Sequence, residues 1–137
     1  MPHYEIKRHI NAAPADIWAI LTDAQRLSDG SFGILGIEGE IRAGETIKLR
    51  SMADPKRSFA IDVAQTSPEM VFQSGMPFGL FKGRRVYRVT PTGGGCEFHM
   101  REEYTGLLKT LMFKAIPDLN PSFKAFADGL QAAAEAA

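Results

Sequence analysis

PDLNPSFKAFADGL at residues 117–130, continued by QAAAEAA at 131–137, is the stretch on which the fold turns. Phe123, Phe126, Ala127 and Leu130 recur at i, i+3, i+4 and i+7, so a helix here carries one apolar stripe. Its alanine-rich tail has high helix propensity. The spacing predicts a helix over about residues 121–135. Upstream lies LLKTLMFKAI at 107–116, separated from it by Pro117 and Pro121. If helix starts near residue 110, a rise of ~1.5 Å per residue makes a rod of ~38 Å, with the prolines as the place for a kink. A rod of that length crosses a whole sheet. An apolar stripe that long needs an apolar partner surface.

The residues before it supply one. Period-two patterns predict strands at about 34–42, 45–51, 57–66, 69–75, 82–91 and 96–105. Ala43-Gly44, Asp54-Pro55, Ser67-Pro68, the stretch from Gly75 to Gly79, and Gly93-Gly94-Gly95 separate them. Glycine supplies positive φ and proline a fixed φ, so each separator reads as a turn. Short connections imply an antiparallel meander. A further strand is expected at 3–10, where Tyr4, Ile6, Arg8 and Ile10 share one side and His3, Glu5, Lys7 and His9 the other. Asn11 to Pro14 breaks that strand. Pro14 suits a first helical turn and Asp16 complements the helix dipole. Ile17, Trp18, Ile20 and Leu21 give the short helix an apolar side. A second helical turn is expected at 24–28, ended by Asp29-Gly30. The order is strand, two short helices, six strands and a long helix, an α+β arrangement.

Composition narrows the function. The chain has 137 residues, 45% hydrophobic and 23% charged, enough for one domain over 1–137 with a real core. Lys+Arg 16 balances Asp+Glu 16, so there is no basic excess for nucleic acid and none for an electrostatic membrane anchor. Nothing approaches the ~20 apolar residues of a membrane span, and no membrane insertion is expected. The start, MPHYEIKRHI, has no apolar core of a secretory signal. With the single cysteine, Cys96, it points to the cytoplasm.

Few motifs carry chemistry. His3, His9 and His99 fall on outward strand faces and no metal-ligand spacing occurs, so neither a metal nor a cofactor is expected. Gly93-Gly94-Gly95 joins two strands rather than opening a helix, and reads as a hairpin turn. Lys82, Arg84, Arg85 and Arg88 form a local basic run that reads as solvated surface. Cys96 reads as a small buried residue. On strand 96–105, Cys96, Phe98, Met100, Glu102 and Tyr104 share the apolar face, so Glu102 points inward. An inward carboxylate must be paired or have a raised pKa. Arg8, Arg85 and, less well placed, Arg57 are its candidate partners. A structural ion pair is the expectation; a ligand-orienting or acid–base cluster is the alternative. Loop 75–81, Gly-Met-Pro-Phe-Gly-Leu-Phe, holds Met76, Phe78, Leu80 and Phe81, which need burial against 111–113 or a role as a lid over a ligand.

Taken together, INAAPADIWAILTD at 10–23, EGEIRAGETIKLR at 38–50, HMREEYTG at 99–106 and PDLNPSFKAFADGL at 117–130 resemble the SRPBCC group. That group holds START lipid-transfer, pollen-allergen and polyketide cyclase-like proteins. The resemblance runs over essentially the full length. It implies the helix-grip fold, a seven-stranded curved antiparallel sheet wrapped around the C-terminal helix, with two short helices between the first strands. It also implies a small hydrophobic or amphipathic ligand held between sheet and helix. On that basis the expected lining is Trp18, Phe59, Phe72, Met76, Phe78, Phe81, Arg85, Tyr87, Met100, Glu102, Tyr104, Met112, Phe113 and Phe126. No residue is assigned a catalytic role. A polyketide cyclase-like enzyme using Glu102 or Tyr104, and a protein-interaction module, are the alternative readings, with a monomer or homodimer as the assembly.

Overall fold

The computed structural model describes residues 3–136. Its elements run β1 (His3–Ile10), α1 (Pro14–Leu21), α2 (Ala24–Leu27), β2 (Ile34–Glu38), β3 (Thr46–Ser51), β4 (Phe59–Gln65), β5 (Met70–Gly75), β6 (Lys82–Thr92), β7 (Gly95–Thr105), α3 (Lys109–Ala115) and α4 (Asn120–Glu135). The seven strands form one antiparallel sheet in the order β1-β7-β6-β5-β4-β3-β2. Strands β2 to β7 are the expected meander. The first strand closes it by pairing with β7, with His3 opposite Glu103 and Ile10 opposite Cys96.

Two expectations change. The strand expected at 34–42 stops at Glu38, because Gly39 turns the chain at φ 108. The rod expected from about 110 is two helices. Ile116 is extended at ψ 155, which ends α3, and α4 starts afresh with Pro121 in its first turn. At 16 residues α4 is ~24 Å long rather than ~38 Å.

The sheet curls around its apolar side. Across the concave face, Met70, Tyr87, Met100 and Ile6 are successive cross-strand partners. One step toward the open end come Phe72, Arg85, Glu102 and Tyr4. Helix α4 lies along β1 and beside α1. Phe126 plugs the inner half of the concavity, its ring 5.6 Å from Phe32, 5.8 Å from Tyr87 and 6.0 Å from Phe98. Gly129 lets α4 approach the chain at residues 31 and 32, where a Cβ would overlap the Ser31 carbonyl oxygen. Ile10, Ile17, Ile20, Leu21, Cys96 and Leu130 complete this core. Cys96 is fully buried as expected, its Sγ donating to the Ala12 carbonyl at 3.1 Å, and burial pushes its thiol pKa up.

Candidate functional site

At the outer half of the concavity the lining changes from closed core to a partly open mouth. Alternation places Phe59, Ile61 and Val63 of β4 on the inner side. Val63 is buried, Ile61 is half-buried and Phe59 is exposed. Leu49, opposite Phe59, is buried. In and just after α3, Met112, Phe113, Ile116 and Leu119 are half-buried. An inward face that solvent reaches is the geometric sign of a cleft. Phe113 of α3 stands on one side of it, against Tyr4 and Tyr104.

The polar group sits at the floor of this mouth. Arg85 and Glu102 are direct cross-strand partners, a spacing at which side chains meet. Arg85 Nε donates to Glu102 Oε1 at 3.2 Å and Nη2 to Oε2 at 3.5 Å. The Tyr104 hydroxyl donates to Glu102 Oε2. The two charged side chains remain 22% and 14% exposed, so solvent or a guest reaches them. Arg85 also lies over the Phe123 ring, 4.8 Å from its centroid, a cation–π contact. Gly83 keeps this spot clear: a Cβ there would come within 3.2 Å of the Tyr104 ring.

Aromatic rings wall the group. Tyr104 is stacked between Phe81 at 5.5 Å and Phe113 at 5.3 Å. Tyr4 meets Tyr104 edge-on at 6.3 Å and Phe113 at 5.2 Å. Electrostatics follow from this burial. Desolvation works against the Arg85 charge, but Glu102, Tyr87 and Tyr104 outweigh it and its pKa rises. Burial, then the Glu102 charge and hydrogen bond, push the Tyr104 pKa far above that of a free phenol. Burial likewise raises Tyr87, against the pull of Arg85. The arrangement therefore presents a fixed cation, a carboxylate already engaged on both oxygens, and a hydroxyl that stays protonated. That set orients a polar group.

Of the expected lining residues, Phe81, Arg85, Glu102, Tyr104 and Phe113 meet in this group; Phe59 is exposed on the inner side of β4 and Met112 is half-buried on α3. Phe72, Tyr87, Met100 and Phe126 are buried in the core behind it. Trp18 is elsewhere. It lines an open external cleft of about 380 Å³ with Ala15, Ala19, Thr22, Thr66, Ser67 and Pro68. A second cleft, about 190 Å³, lies on the convex face among Lys82, Arg84, Arg88, Arg101 and Glu103. Neither lies beneath α4. Met76 and Phe78 are not buried, contrary to expectation; Phe78 projects into solvent at φ 61. The local reason is that Phe81 alone turns inward, while the turn at 77–79 faces away.

Arg8 does not serve Glu102. It pairs with Asp128 at 2.9 Å and Gln131 at 2.8 Å on α4, because β1 lies under that helix. Arg57 lies over the Phe59 ring, 5.3 Å from its centroid. Lys82, Arg84 and Arg88 are on the convex face as expected, and Arg85 alone turns inward. His99 is also convex, in a network with Glu5 that continues to Arg101 and Glu103. Among the described residues no group of three or more His, Cys, Asp or Glu is placed to hold a metal ion. Sequence reasoning passed over Tyr4, Ile61, Gly83 and Phe123 as site residues. Inward alternation already marked Tyr4 and Ile61. Phe123 had a signal too, one helical turn before Phe126.

The family described as "Polyketide cyclase / dehydrase and lipid transport" matches residues 1–135. The chain belongs to that family. Solved structures agree on the fold. MLL2253 from Mesorhizobium loti superposes with TM-score 0.73 at 13% identity, covering 96% of this chain and 95% of that one. Norcoclaurine synthase from Thalictrum flavum gives 0.65 at 20% identity, covering 94% and 89%. The di-domain ARO/CYC StfQ of the steffimycin biosynthetic pathway gives 0.71 at 14%, covering 98% of this chain and 51% of that one. No curated protein sequence matches. The Polyketide cyclase / lipid transport assignment agrees with the SRPBCC resemblance. At these identities the structures speak for architecture.

Proposed function

We propose that this member of the family binds a small apolar or amphipathic molecule in the mouth between β4–β7 and α3. The carrying observation is the Arg85–Glu102–Tyr104 group, solvent-accessible at the floor of an otherwise aromatic and aliphatic recess. Apolar walls with few fixed polar groups are the usual make-up of a small-molecule site. The ligand's apolar body would lie along Ile61, Phe113 and Ile116. Its polar end would meet Arg85 and the edge of Glu102. Binding or carriage is favoured over proton-transfer catalysis because Glu102 stands in a structural ion pair with Arg85, held in place by the strand register.

A cytoplasmic setting, and a monomer or homodimer, belong to the same proposal. The unpaired, buried Cys96 supports the first. No helix among the described residues is long and apolar enough to cross a membrane.

Native mass spectrometry of the full chain purified from its own host tests the reading. The expected result is a co-purifying small molecule whose occupancy falls when Ile61→Trp fills the mouth. A bare chain from its own host, together with no uptake of long-chain fatty acid or polycyclic aromatic probes, overturns it.

A further inference from the structure

The exposed large apolar side chains are not scattered. Among the described residues they are Leu35, Met52, Phe59, Met76, Phe78, Leu107 and Leu111. All seven lie toward one end of the sheet. Pairing sets Ser51 opposite Ile34, Phe59 opposite Leu49, Gly75 opposite Lys82, and Lys82 opposite Thr105. The segments 52–58, 76–82 and 106–119 therefore form the rim of the cleft mouth. Two of them are tied together, with Leu108 N–H donating to the Leu80 carbonyl at 2.8 Å. Phe78 is 99% exposed, Leu107 89% and Leu111 65%. Phe78 also sits at φ 61, where glycine would be easier, so the turn holds a large ring outward at some strain.

Charge is segregated in the same place. The three rim segments contain Lys56, Arg57, Lys82, Lys109 and Lys114 against only Asp54 and Asp118, a net +3 in a chain whose total is +0. Protruding aromatic and leucine side chains set among lysines match the interface of an anionic lipid leaflet. There the rings enter the acyl boundary and the ammonium groups meet phosphate. A protein partner fits less well, because the anchors stand on separate loops around an opening rather than in a shaped groove.

We propose that this rim is a peripheral docking surface for anionic lipid bilayers, set around the cleft mouth. Chain neutrality had argued against such an anchor; the fold collects the positive share at one end. The inference goes beyond the binding reading and does not require it. Vesicle affinity and cleft occupancy are separate readouts.

Co-sedimentation of the full chain with vesicles tests it, using phosphatidylcholine alone and an equal mixture of phosphatidylcholine and phosphatidylglycerol. Binding is expected to the mixed vesicles, weaker to the neutral ones and weakened by salt. Phe78→Gly combined with Leu107→Ser should weaken it by about tenfold or more. Lys82→Glu with Lys114→Glu should remove its salt dependence. Thr90→Ala, exposed on β6 near the opposite, hairpin end of the sheet, should leave it unchanged. Thermal melts of each variant check that the fold is kept. No sedimentation at low salt overturns the proposal. So does sedimentation indifferent to the Phe78 and Leu107 changes. Concentration-dependent self-association that those changes abolish, without vesicle binding, would instead assign the rim to a second copy of this chain.

Discussion

Arg85 Nε stands 3.2 Å from Glu102 Oε1 on the neighbouring strand, facing the concave side of the sheet. The pair is neither fully dry nor freely solvated. Its geometry is fixed by the strand register, by Tyr104 on the second carboxylate oxygen, and by the Phe123 ring over the guanidinium.

Removing one partner leaves the other largely desolvated and uncompensated. Glu102→Ala is expected to cost about 3 kcal/mol. The double substitution Arg85→Met with Glu102→Leu should cost clearly less than Glu102→Ala alone. Urea unfolding of the three proteins measures this. Equal losses in the single and double variants would show that packing, not charge pairing, sets the cost.

Alkaline stability should be governed by two buried phenols. Both Tyr87 and Tyr104 have raised pKa values in the fold. Unfolded, they ionise near pH ~10. Their contribution is complete below that pH and is lost as pH rises above it, because the unfolded chain then holds fewer protons. Melting temperature should fall above about pH 10, and less steeply in Tyr87→Phe. Phenolate absorbance from these two residues should appear only with unfolding. Early titration of both in the folded protein would contradict the arrangement.

Gly129→Ala looks favourable by helix propensity, worth ~1 kcal/mol. Position decides otherwise. The new methyl would overlap the Ser31 carbonyl and push α4 from the chain at residues 31 and 32. A net loss of about 1–3 kcal/mol is expected from this overpacking. A melting temperature at or above that of the parent would mean that α4 does not approach there.

Phe78→Gly should be neutral or stabilising, because it removes a side chain that makes little contact and relieves the positive φ. Phe126→Ala, by contrast, should cost about 3–5 kcal/mol. The comparison, by thermal or denaturant melts, separates rim aromatic from core aromatic. Similar losses for both would place Phe78 against a surface it does not touch here.

Acid behaviour has the opposite sign. Glu5, held down by the His99 hydrogen bond, and Asp128, held down by Lys124 and Arg8, have lowered pKa values. Their contribution is present above the unfolded carboxylate range of about 4 and lost as pH falls through the folded values. Both are exposed, so the effect should be small and shrink with salt. A stability profile flat from neutral pH to pH ~3 would remove it.

Much was legible in the chain because it follows from local periodicity. Alternation in 96–105 put Glu102 and Tyr104 on the inner face, and that in 82–91 put Arg85 there. The i, i+3, i+4, i+7 stripe fixed which side of α4 is buried. Turn chemistry at Gly93-Gly94-Gly95 fixed the hairpin between β6 and β7. These are one-dimensional facts about which side a residue faces. Which residue sits opposite which is not one-dimensional. Arg8, Arg57 and Arg85 all had inward patterns, and only the register across β6 and β7 chose Arg85 for Glu102, while the lie of α4 took Arg8 for Asp128. Helix propensity likewise left open a continuous rod, and the extended backbone at Ile116 ended it. Burial of loop 76–80 was inferred from apolarity alone, yet hydrophobicity says only that exposure is unfavourable, not that a covering surface exists. Net charge gave zero, because a sum has no positions; folding brought three distant segments together and made one end basic. Side-chain direction is set by neighbours along the chain, whereas partners and patches are set by contacts between residues far apart in it.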